Sequence, residues 1–339
     1  MRAAVMQGLH QPLAIETVPD PEPGEGEVVV KVGRCGICGS DLHMTEDPAY
    51  GQGAGSILGH EFAGEVVELG KNVQGGVEGL AKGDLVAVSP LKSCGACPAC
   101  LAGNVSWCDK FGLQGGGYAE YALTLPNQCV KLPKSASLAD GAIIEPLAVA
   151  LHGVAMSGLR IGDKVLILGA GPIGLACAFW ARRMGAGRVV VQDVATWQQD
   201  RGLAMGAHDF IADRADPIGA SERALGGKAD VVFECVGVPG LIAQGVEQVR
   251  ARGTIVLLGL CTVPDTFNSF AMLSKEVRLI TSAFFTAHEY HAALDALDRG
   301  AAEPRLLVTE TIPLERTPTV FEALRRRTEQ CKVLIAPGT

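Results

Sequence analysis

The chain has 339 residues, of which 29 are Lys or Arg and 37 are Asp or Glu, for a formal net charge of −8. This length predicts two domains of roughly 150 residues each, and the acidic balance argues against partners that need a basic surface, namely nucleic acid and membranes. Apolar residues make up 48% of the chain and charged residues only 19%, which excludes an intrinsically disordered protein.

The first part of the chain, up to about Glu145, contains short apolar runs separated by turn residues. Such runs are typical of β-strands joined by tight turns, so we predict strands at 28–32, 64–69 and 85–88. The sequence does not begin with a basic stretch followed by a long apolar run, which predicts a cytoplasmic protein without a signal peptide. A β-rich first domain is therefore expected.

From Lys164 onward, buried strand-like runs alternate with helical stretches. The predicted strands lie at 164–168, 188–192, 230–234, 253–258 and 277–282. This alternation is the βαβ pattern of a parallel sheet that is covered by helices on both faces. The sequence therefore predicts a doubly wound α/β domain in this part of the chain.

The pattern changes again after about residue 284. Two amphipathic helices are predicted at 288–299 and 317–327, and a last strand at 332–335. We therefore expect the α/β domain, residues 147–284, to be inserted between the two parts of the β-rich domain, which are residues 1–146 and 285–339.

A glycine-rich turn follows the strand predicted at 164–168. Its residues are Gly169, Ala170, Gly171, Pro172, Ile173 and Gly174. The first Gly permits a tight turn, the second lets a pyrophosphate approach the backbone, and the third lets helix and strand pack closely. Asp193 follows about twenty residues later, where a carboxylate accepts hydrogen bonds from an adenosine ribose. We predict binding of NAD(H); the alternative is a structural turn beside an unrelated Asp.

Four cysteines lie close together in the first domain: Cys94, Cys97, Cys100 and Cys108. Four thiolates at this spacing can surround one Zn²⁺ and leave no open position, which makes a structural site. An iron–sulfur cluster fits less well, because the ferredoxin pattern has three residues before its last Cys and a Pro after it. Free buried cysteines are the other alternative. We predict a zinc-binding loop at about 94–108.

Other metal-ligating residue types are spread over the first domain. Cys38, His60 and Glu61 supply sulfur, nitrogen and oxygen, and Glu145 lies in an apolar run where an unpaired carboxylate is costly. Together they suit a catalytic Zn²⁺ that keeps one position open. On a regular strand His60 and Glu61 point to opposite faces, so both can reach one metal only if the backbone is irregular there. Otherwise Glu61 binds through water, or only part of the time.

With these residues, the chain resembles the zinc-dependent medium-chain alcohol dehydrogenases over nearly its whole length. The motifs that carry the resemblance are Cys-Gly-Ile-Cys-Gly-Ser-Asp-Leu-His (35–43), Gly-His-Glu (59–61), the four cysteines, Glu-Pro-Leu (145–147) and the glycine-rich turn. The chain is most similar to the polyol, butanediol and threonine dehydrogenase branches, where a Glu replaces a second Cys ligand. Glu145 matches that position. The resemblance implies a Rossmann domain inserted in a GroES-like catalytic domain, with the active site in the cleft between them.

The resemblance also implies a role for each residue of the metal site. Cys38 and His60 would bind the catalytic zinc. Glu61 and Glu145 would be further ligands, either directly or through water. Asp41 would orient His60 from outside the ligand set.

Proton transfer and specificity follow from the same resemblance. Ser40 would take the alcohol proton and pass it through the cofactor ribose to His43 and solvent. The expected reaction is a reversible hydride transfer to NAD⁺ from a secondary alcohol, a vicinal diol or a polyol, in a protein with two Zn²⁺ per chain. Alternatives are threonine, a cyclic or aromatic alcohol, or a non-catalytic NAD-binding zinc protein. Besides an alcohol or ketone substrate, the family implies a homodimer or homotetramer.

Overall fold

The computed structural model describes residues 1–73, 79–326 and 328–338. The strands, in chain order, are β1 (Arg2–Val5), β2 (Ala14–Thr17), β3 (Val28–Gly36), β4 (Glu61–Leu69), β5 (Leu85–Val88), β6 (Leu91–Lys92), β7 (Gly112–Leu113), β8 (Tyr121–Thr124), β9 (Cys129–Lys131), β10 (Lys164–Leu168), β11 (Arg188–Gln192), β12 (Asp209–Ile211), β13 (Ala229–Glu234), β14 (Val249–Leu257), β15 (Arg278–Thr281), β16 (Val308–Pro313) and β17 (Lys332–Ala336). The α-helices are α1 (Gly39–Met44), α2 (Pro98–Leu101), α3 (Leu138–Gly141), α4 (Ile144–Met156), α5 (Pro172–Arg183), α6 (Gln199–Ala204), α7 (Pro217–Leu225), α8 (Leu241–Gln248), α9 (Ser269–Leu273), α10 (Ala287–Asp298) and α11 (Thr317–Leu324).

The chain divides into two compact units. Unit 1 comprises Met1–Glu145, Thr286–Ala301 and Val308–Thr339, and unit 2 comprises Pro146–Phe285 and Ala302–Leu307. The short segment Ala302–Leu307 belongs to unit 2, although the sequence places it in the β-rich domain. The reason is local: Arg201 Nε of α6 donates a hydrogen bond of 2.6 Å to the carbonyl oxygen of Leu306.

Unit 1 is built on a seven-stranded sheet. Its strands lie in the order β16-β17-β3-β4-β5-β9, and β8 also pairs with β3. All of these pairs are antiparallel except β16 with β17. Val30, Phe62 and Val333 are buried in its core, at most 1% exposed. Strand β3 is therefore central, with β4 on one side and β17 on the other.

The strands of unit 1 run further than the apolar pattern predicts. Strand β3 continues past Gly33 to Gly36, and β4 begins at Glu61 rather than at residue 64. The register between the two strands shifts between Val32 and Arg34, so a local irregularity lets the pairing pass through the glycine. This extension brings Gly36 opposite Glu61. The helix predicted at 317–327 ends at Leu324, and residue 327 lies outside the described residues.

Unit 2 is a six-stranded sheet in the order β12-β11-β10-β13-β14-β15, and all of its pairs are parallel. Numbered within the unit, this order is 3-2-1-4-5-6, the doubly wound arrangement that binds dinucleotides where the strand order reverses. That reversal lies between β10 and β13. The predicted α/β fold class, with a parallel sheet, is therefore confirmed. Among the described residues no helix combines the length and apolarity that a membrane crossing requires.

Candidate metal centre and cofactor turn

Three candidate ligands meet in unit 1. The ligand atoms of Cys38, His60 and Glu61 all lie within 4.8 Å of one another. Cys38 is the residue before α1, and His60 and Glu61 are 5% and 1% exposed. One sulfur, one nitrogen and one oxygen ligand suit a zinc site with an open fourth position.

The backbone before β4 explains how two neighbouring residues reach one point. Strand β4 begins only at Glu61, so His60 precedes the pleated part and strict alternation does not apply to the pair. Gly59 has φ +87°, a conformation that other residues adopt only with strain. A Cβ on Gly59 would also overlap the ring of Tyr118. The irregular backbone that the sequence analysis required is present.

His60 is held by a buried carboxylate. Its Nδ1 lies 3.2 Å from Asp41 Oδ1, and Asp41 is fully buried. The other oxygen, Oδ2, accepts hydrogen bonds from the Tyr118 hydroxyl at 2.6 Å and the Cys38 amide at 3.1 Å. With Nδ1 committed to Asp41, Nε2 is the nitrogen that can bind a metal.

Electrostatics within this pair favour the charged forms. Burial by itself lowers the pKa of His60, but the attraction of Asp41 outweighs it and the net pKa is raised well above its usual value. Burial by itself raises the pKa of Asp41, yet His60 and the donors Tyr118 and Cys38 leave its pKa below the usual value. Asp41 is therefore an anion beside the ring, which is the state that orients a histidine ligand.

Glu61 is paired with Lys332, a residue that the sequence analysis missed. Lys332 Nζ lies 2.8 Å from Oε1 and 2.7 Å from Oε2 of Glu61, and it donates to the Ile37 carbonyl oxygen at 3.0 Å. Lys332 is only 2% exposed. Burial lowers its pKa, but the charge of Glu61 raises it by more. The sequence feature that could have indicated Lys332 is a lysine at the start of an apolar strand, where a charged side chain needs a buried partner.

The structure around Glu61 fits a zinc ion. No described group donates a hydrogen bond of good geometry to its Oε2, although the Lys332 ammonium lies close by. A Cβ on Gly36 would overlap that oxygen, so the glycine makes the space in which the carboxylate lies. A buried oxygen with a free lone pair, beside a thiol and an imidazole, is a suitable ligand for Zn²⁺.

Glu145 is buried near this group without joining the close set. It lies in the first turn of α4 and is 7% exposed. Burial raises its pKa to about 7; His60 and Lys332 oppose that shift, and Glu61 adds to it. Its carboxylate does not belong to the group within 4.8 Å among the described residues. Ligation of a metal by Glu145, directly or through water, remains a prediction.

Ser40 and His43 both belong to the short helix α1. Residues three apart are neighbours on a helix surface. Ser40 Oγ donates a hydrogen bond of 3.2 Å to Cys38 Sγ, which places the hydroxyl beside a candidate ligand. His43 is half-buried one turn further on. The predicted proton path thus begins next to the candidate metal centre.

The four cysteines of the predicted zinc loop also come together. Their sulfur atoms all lie within 4.8 Å of one another. The Cys94–Cys100 and Cys97–Cys100 sulfur distances are 4.0 and 3.5 Å, on either side of the ~3.8 Å edge of a tetrahedron with ~2.3 Å Zn–S bonds. Backbone amides of Cys100 and Asp109 lower the pKa of Cys97 to about 6. A thiol that ionises this readily is prepared for a metal.

In unit 2, the local backbone requires two of the three glycines of the turn at 169–174. Gly169 has φ +100°, and a Cβ on Gly174 would overlap the Gly169 carbonyl oxygen. Gly171, the N-cap of α5, has open space around its Cα. Pro172 and Ile173 begin α5, whose N-terminus can hold a phosphate through free N–H groups.

Asp193 follows β11 and is linked to that turn. Its Oδ2 accepts a hydrogen bond of 2.8 Å from the Ala170 amide. Its Oδ1 accepts from the amides of Val194 at 2.6 Å and Ala195 at 3.2 Å. The carboxylate is therefore fixed at the carboxyl end of the sheet, beside the point where the strand order reverses.

Comparisons with known proteins agree with this arrangement. The family model described as alcohol dehydrogenase GroES-like domain matches residues 24–134, and the zinc-binding dehydrogenase model matches residues 172–299. Sorbitol dehydrogenase of Bacillus subtilis (strain 168) is 31% identical over 351 residues, covering 100% of this chain and 98% of that protein. D-xylulose reductase A of Aspergillus niger is 32% identical over 336 residues, covering 95% and 92%. The crystal structure of 2R,3R-butanediol dehydrogenase from Bacillus subtilis has a TM-score of 0.86 and 29% identity, covering 99% of both chains.

The doubly wound unit, the β-rich unit with its candidate metal ligands and the two matching family models define an NAD- and zinc-dependent oxidoreductase. The chain belongs to the zinc-dependent medium-chain alcohol dehydrogenase family, in its polyol branch. It is therefore an enzyme, as the sequence predicts, and the alternative of a non-catalytic NAD-binding protein is set aside.

Proposed function

We propose that this enzyme oxidises a secondary alcohol, a vicinal diol or a polyol to the ketone, reversibly, with NAD⁺ as the hydride acceptor. The observation that carries the proposal is the Cys38, His60 and Glu61 set, in which one ligand is a carboxylate. A set with one thiolate matches oxygen ligands better than a set with two, and a diol has two hydroxyls to offer. The names of the related sorbitol, xylulose and butanediol enzymes support the same substrate class.

In the proposed site, Cys38, His60 and Glu61 bind the catalytic zinc, and Glu145 contacts it through water or directly. When bound, zinc supplies Lewis acidity toward an oxygen atom and NAD⁺ accepts the hydride. Asp41 holds His60 with Nε2 free for the metal. The buried carboxylates and the buried ammonium of Lys332 give the site a fixed arrangement of charges with little water.

Protons leave the site by way of α1 in this proposal. Ser40 Oγ, which donates to Cys38 Sγ at 3.2 Å, would accept the proton of the substrate hydroxyl and give up its own toward His43. His43, half-buried and one turn further along the helix, delivers it to solvent. An imidazole suits this step because one ring nitrogen can accept a proton while the other donates one.

The second zinc is proposed to be structural. Cys94, Cys97, Cys100 and Cys108 would surround it completely, so it would have no position for a substrate. Its role would be to fasten the loop between β6 and β7.

A comparison of substrates tests the proposed class. We expect kcat/KM with NAD⁺ to be higher for sorbitol, 2,3-butanediol or a cyclic secondary alcohol than for ethanol, under one set of conditions. Cys38→Ser should lose turnover of all of them. The matched control is Cys261→Ser, because Cys261 is exposed and belongs to neither of the two candidate metal sites. If ethanol or 1-butanol is preferred tenfold or more, the proposed class is wrong; preference for threonine would identify the alternative.

We propose that Asp193 selects NAD⁺ over NADP⁺. A 2′-phosphate at this carboxylate would meet a like charge, at a cost of about 1–3 kcal/mol, or roughly ten- to more than hundredfold in affinity. Asp193→Ser should narrow the difference in kcat/KM between the two cofactors. A native enzyme with higher kcat/KM for NADP⁺ would show that the assignment is wrong.

The remaining proposals concern assembly and location. From the resemblance we propose a homodimer or homotetramer, which light scattering of the purified enzyme tests. We also propose a reducing compartment, the cytoplasm, because the eleven cysteines are an odd number and four of them have the spacing of metal ligands rather than of a disulfide framework. Fractionation of the source cells tests that location.

A further inference from the structure

Lys332 is a buried cation at the edge of the metal centre. It lies on β17, is 2% exposed, and directs its ammonium group at both oxygens of Glu61 and at the Ile37 carbonyl oxygen. An ammonium group buried to this extent is costly unless it is fully paired. These contacts pair the ammonium group fully, and they link it to a carboxylate of the candidate metal centre.

The two partners of this ion pair lie on strands that are not adjacent in the sheet. Glu61 is on β4 and Lys332 on β17, with the central strand β3 between them. Gly36 of β3 stands opposite Glu61 on one side and Leu334 on the other. Because Gly36 has no side chain, the Glu61 carboxylate can cross over β3; a Cβ there would overlap Oε2. The pair therefore depends on a position kept open by glycine.

The contact of Lys332 fixes the direction of the carboxylate. Nζ lies 2.8 Å from Oε1, which accepts its hydrogen bond, and 2.7 Å from Oε2, where the geometry is not that of a hydrogen bond. Glu61 is at the same time within 4.8 Å of the sulfur of Cys38 and the imidazole of His60. The ion pair therefore engages both oxygens and holds the carboxylate against rotation, and Oε2 keeps lone pairs that no hydrogen bond of good geometry occupies.

We infer that Lys332 is a positioning residue that holds the carboxylate of Glu61 in the metal-binding orientation. The inference rests on the proposed ligand set and goes beyond it, since Lys332 is not one of the candidate ligands. Without the ammonium group, Glu61 would lose its anchor and its charge compensation in a buried site that also contains Asp41 and Glu145. Partners of this kind typically change metal affinity 10- to 100-fold when they are removed.

The test measures zinc affinity directly. Lys332→Met is compared with the native protein, each retaining the four-cysteine zinc, by competition with a chelator for the second ion. We expect about 10- to 100-fold weaker binding and a changed absorption spectrum after replacement of that ion by Co²⁺. The matched control is Lys131→Met. Lys131 pairs with Asp84 at 2.9 Å, and this pair belongs to unit 1 but not to the candidate metal centre.

A double-mutant cycle separates positioning from general stabilisation. In a Glu61→Gln background, Lys332→Met should weaken zinc binding by no more than about twofold, because the group it acts through is gone. An equal loss in both backgrounds, or native affinity in Lys332→Met, would overturn the inference. If Lys332→Met does not fold, Lys332→Gln replaces it in the same cycle. Unchanged affinity in Glu61→Gln alone would instead contradict the proposed ligand role of Glu61.

Tyr118 carries a second, independent inference. Its hydroxyl donates a hydrogen bond of 2.6 Å to Asp41 Oδ2, and both side chains are fully buried. The ring packs edge-on against Phe321, with the centroids 6.3 Å apart. The ring is therefore held by packing, and the hydroxyl group is directed at the carboxylate that orients His60.

We propose that the Tyr118 hydroxyl is a positioning group for Asp41, and through it for His60. Tyr118→Phe removes one oxygen atom and keeps the ring. We expect about tenfold weaker zinc binding, at the low end for such partners, and no added effect in an Asp41→Asn background. The control is Tyr121→Phe, because Tyr121 is a half-buried tyrosine of β8. Native zinc affinity in Tyr118→Phe, or the same loss in both backgrounds, would show that the hydroxyl has no such role.

Discussion

The two groups of metal-ligand side chains differ in how the chain assembles them. The four cysteines lie on one loop between β6 and β7, within fifteen residues of each other. The three-residue group joins the start of α1 to the start of β4, and it depends on Lys332, which is 271 positions from Glu61. A closed site can be made by local sequence, whereas the open site needs three neighbouring strands in register.

The two sites also differ in their ligand atoms. Four sulfur atoms at the corners of a tetrahedron leave no position for another ligand, and thiolates hold zinc strongly. Cys38, His60 and Glu61 supply one sulfur, one nitrogen and one oxygen, so the ion bound there would be held less tightly. The predictions below use this contrast and are ordered by their expected effect on activity or zinc binding, from the largest to the smallest.

The largest effect should come from removal of the metal. A chelator should take the ion at Cys38, His60 and Glu61 first, because that site is open and carries an oxygen ligand. Activity should fall to zero while one zinc per chain and the folded structure remain. Zinc analysis, activity and circular dichroism of the same samples check the order. Fewer than about two zinc ions per chain in a fresh, active preparation would count against the two-site description.

Cysteine replacement should separate chemistry from stability. Cys38→Ser should reduce kcat/KM by more than the ~100-fold that loss of an outer partner can cost, with little change in Tm of the zinc-free protein. Cys97→Ser should lower Tm instead, because its zinc fastens a loop. Activity and thermal unfolding of both variants are measured beside Cys261→Ser. The same pattern of losses in both would show that the two sites do not differ in role.

Adding a methyl group at Gly36 tests whether the open site depends on the space that this glycine leaves for the Glu61 carboxylate. Gly36→Ala should weaken zinc binding there about 10- to 100-fold, because the new Cβ displaces the Glu61 carboxylate. Gly53→Ala is the control, since a Cβ at Gly53 meets nothing within 4 Å. Chelator competition measures both. Native affinity in Gly36→Ala would mean that Glu61 binds from another direction.

The smallest effect concerns Glu145 and pH. In the metal-free enzyme burial raises the pKa of Glu145 from 4.5 to about 7, so the folded state binds its proton more tightly than the unfolded state. The free energy of unfolding should therefore decrease as pH rises from about 4.5 to about 7, by about 3 kcal/mol at most. Glu145→Gln should lack this decrease. Urea unfolding across that range measures it, and parallel curves for the two proteins would contradict the assignment.

Much of the site could be predicted from the sequence because its signals are local. Spacing alone indicated the four-cysteine loop, and strand, turn and helix residues around Gly169 and Gly174 indicated the doubly wound unit. The assignment of ligand residue types at Cys38, His60 and Glu61 needed the family resemblance as well. Where the apolar pattern stopped at Gly33, the strand went on, since an irregular register is not visible in a hydrophobic pattern.

The sequence by itself determined the fold class, the four-cysteine group and the chemistry of the candidate ligands, because these depend on residue type and short spacing. Only the tertiary structure decided which partners hold the open site. Lys332 lies two strands away from Glu61, Tyr118 reaches Asp41 from another segment, and Gly36 leaves the space between. Such contacts depend on strand order and register, which join residues hundreds of positions apart, and no local pattern encodes them.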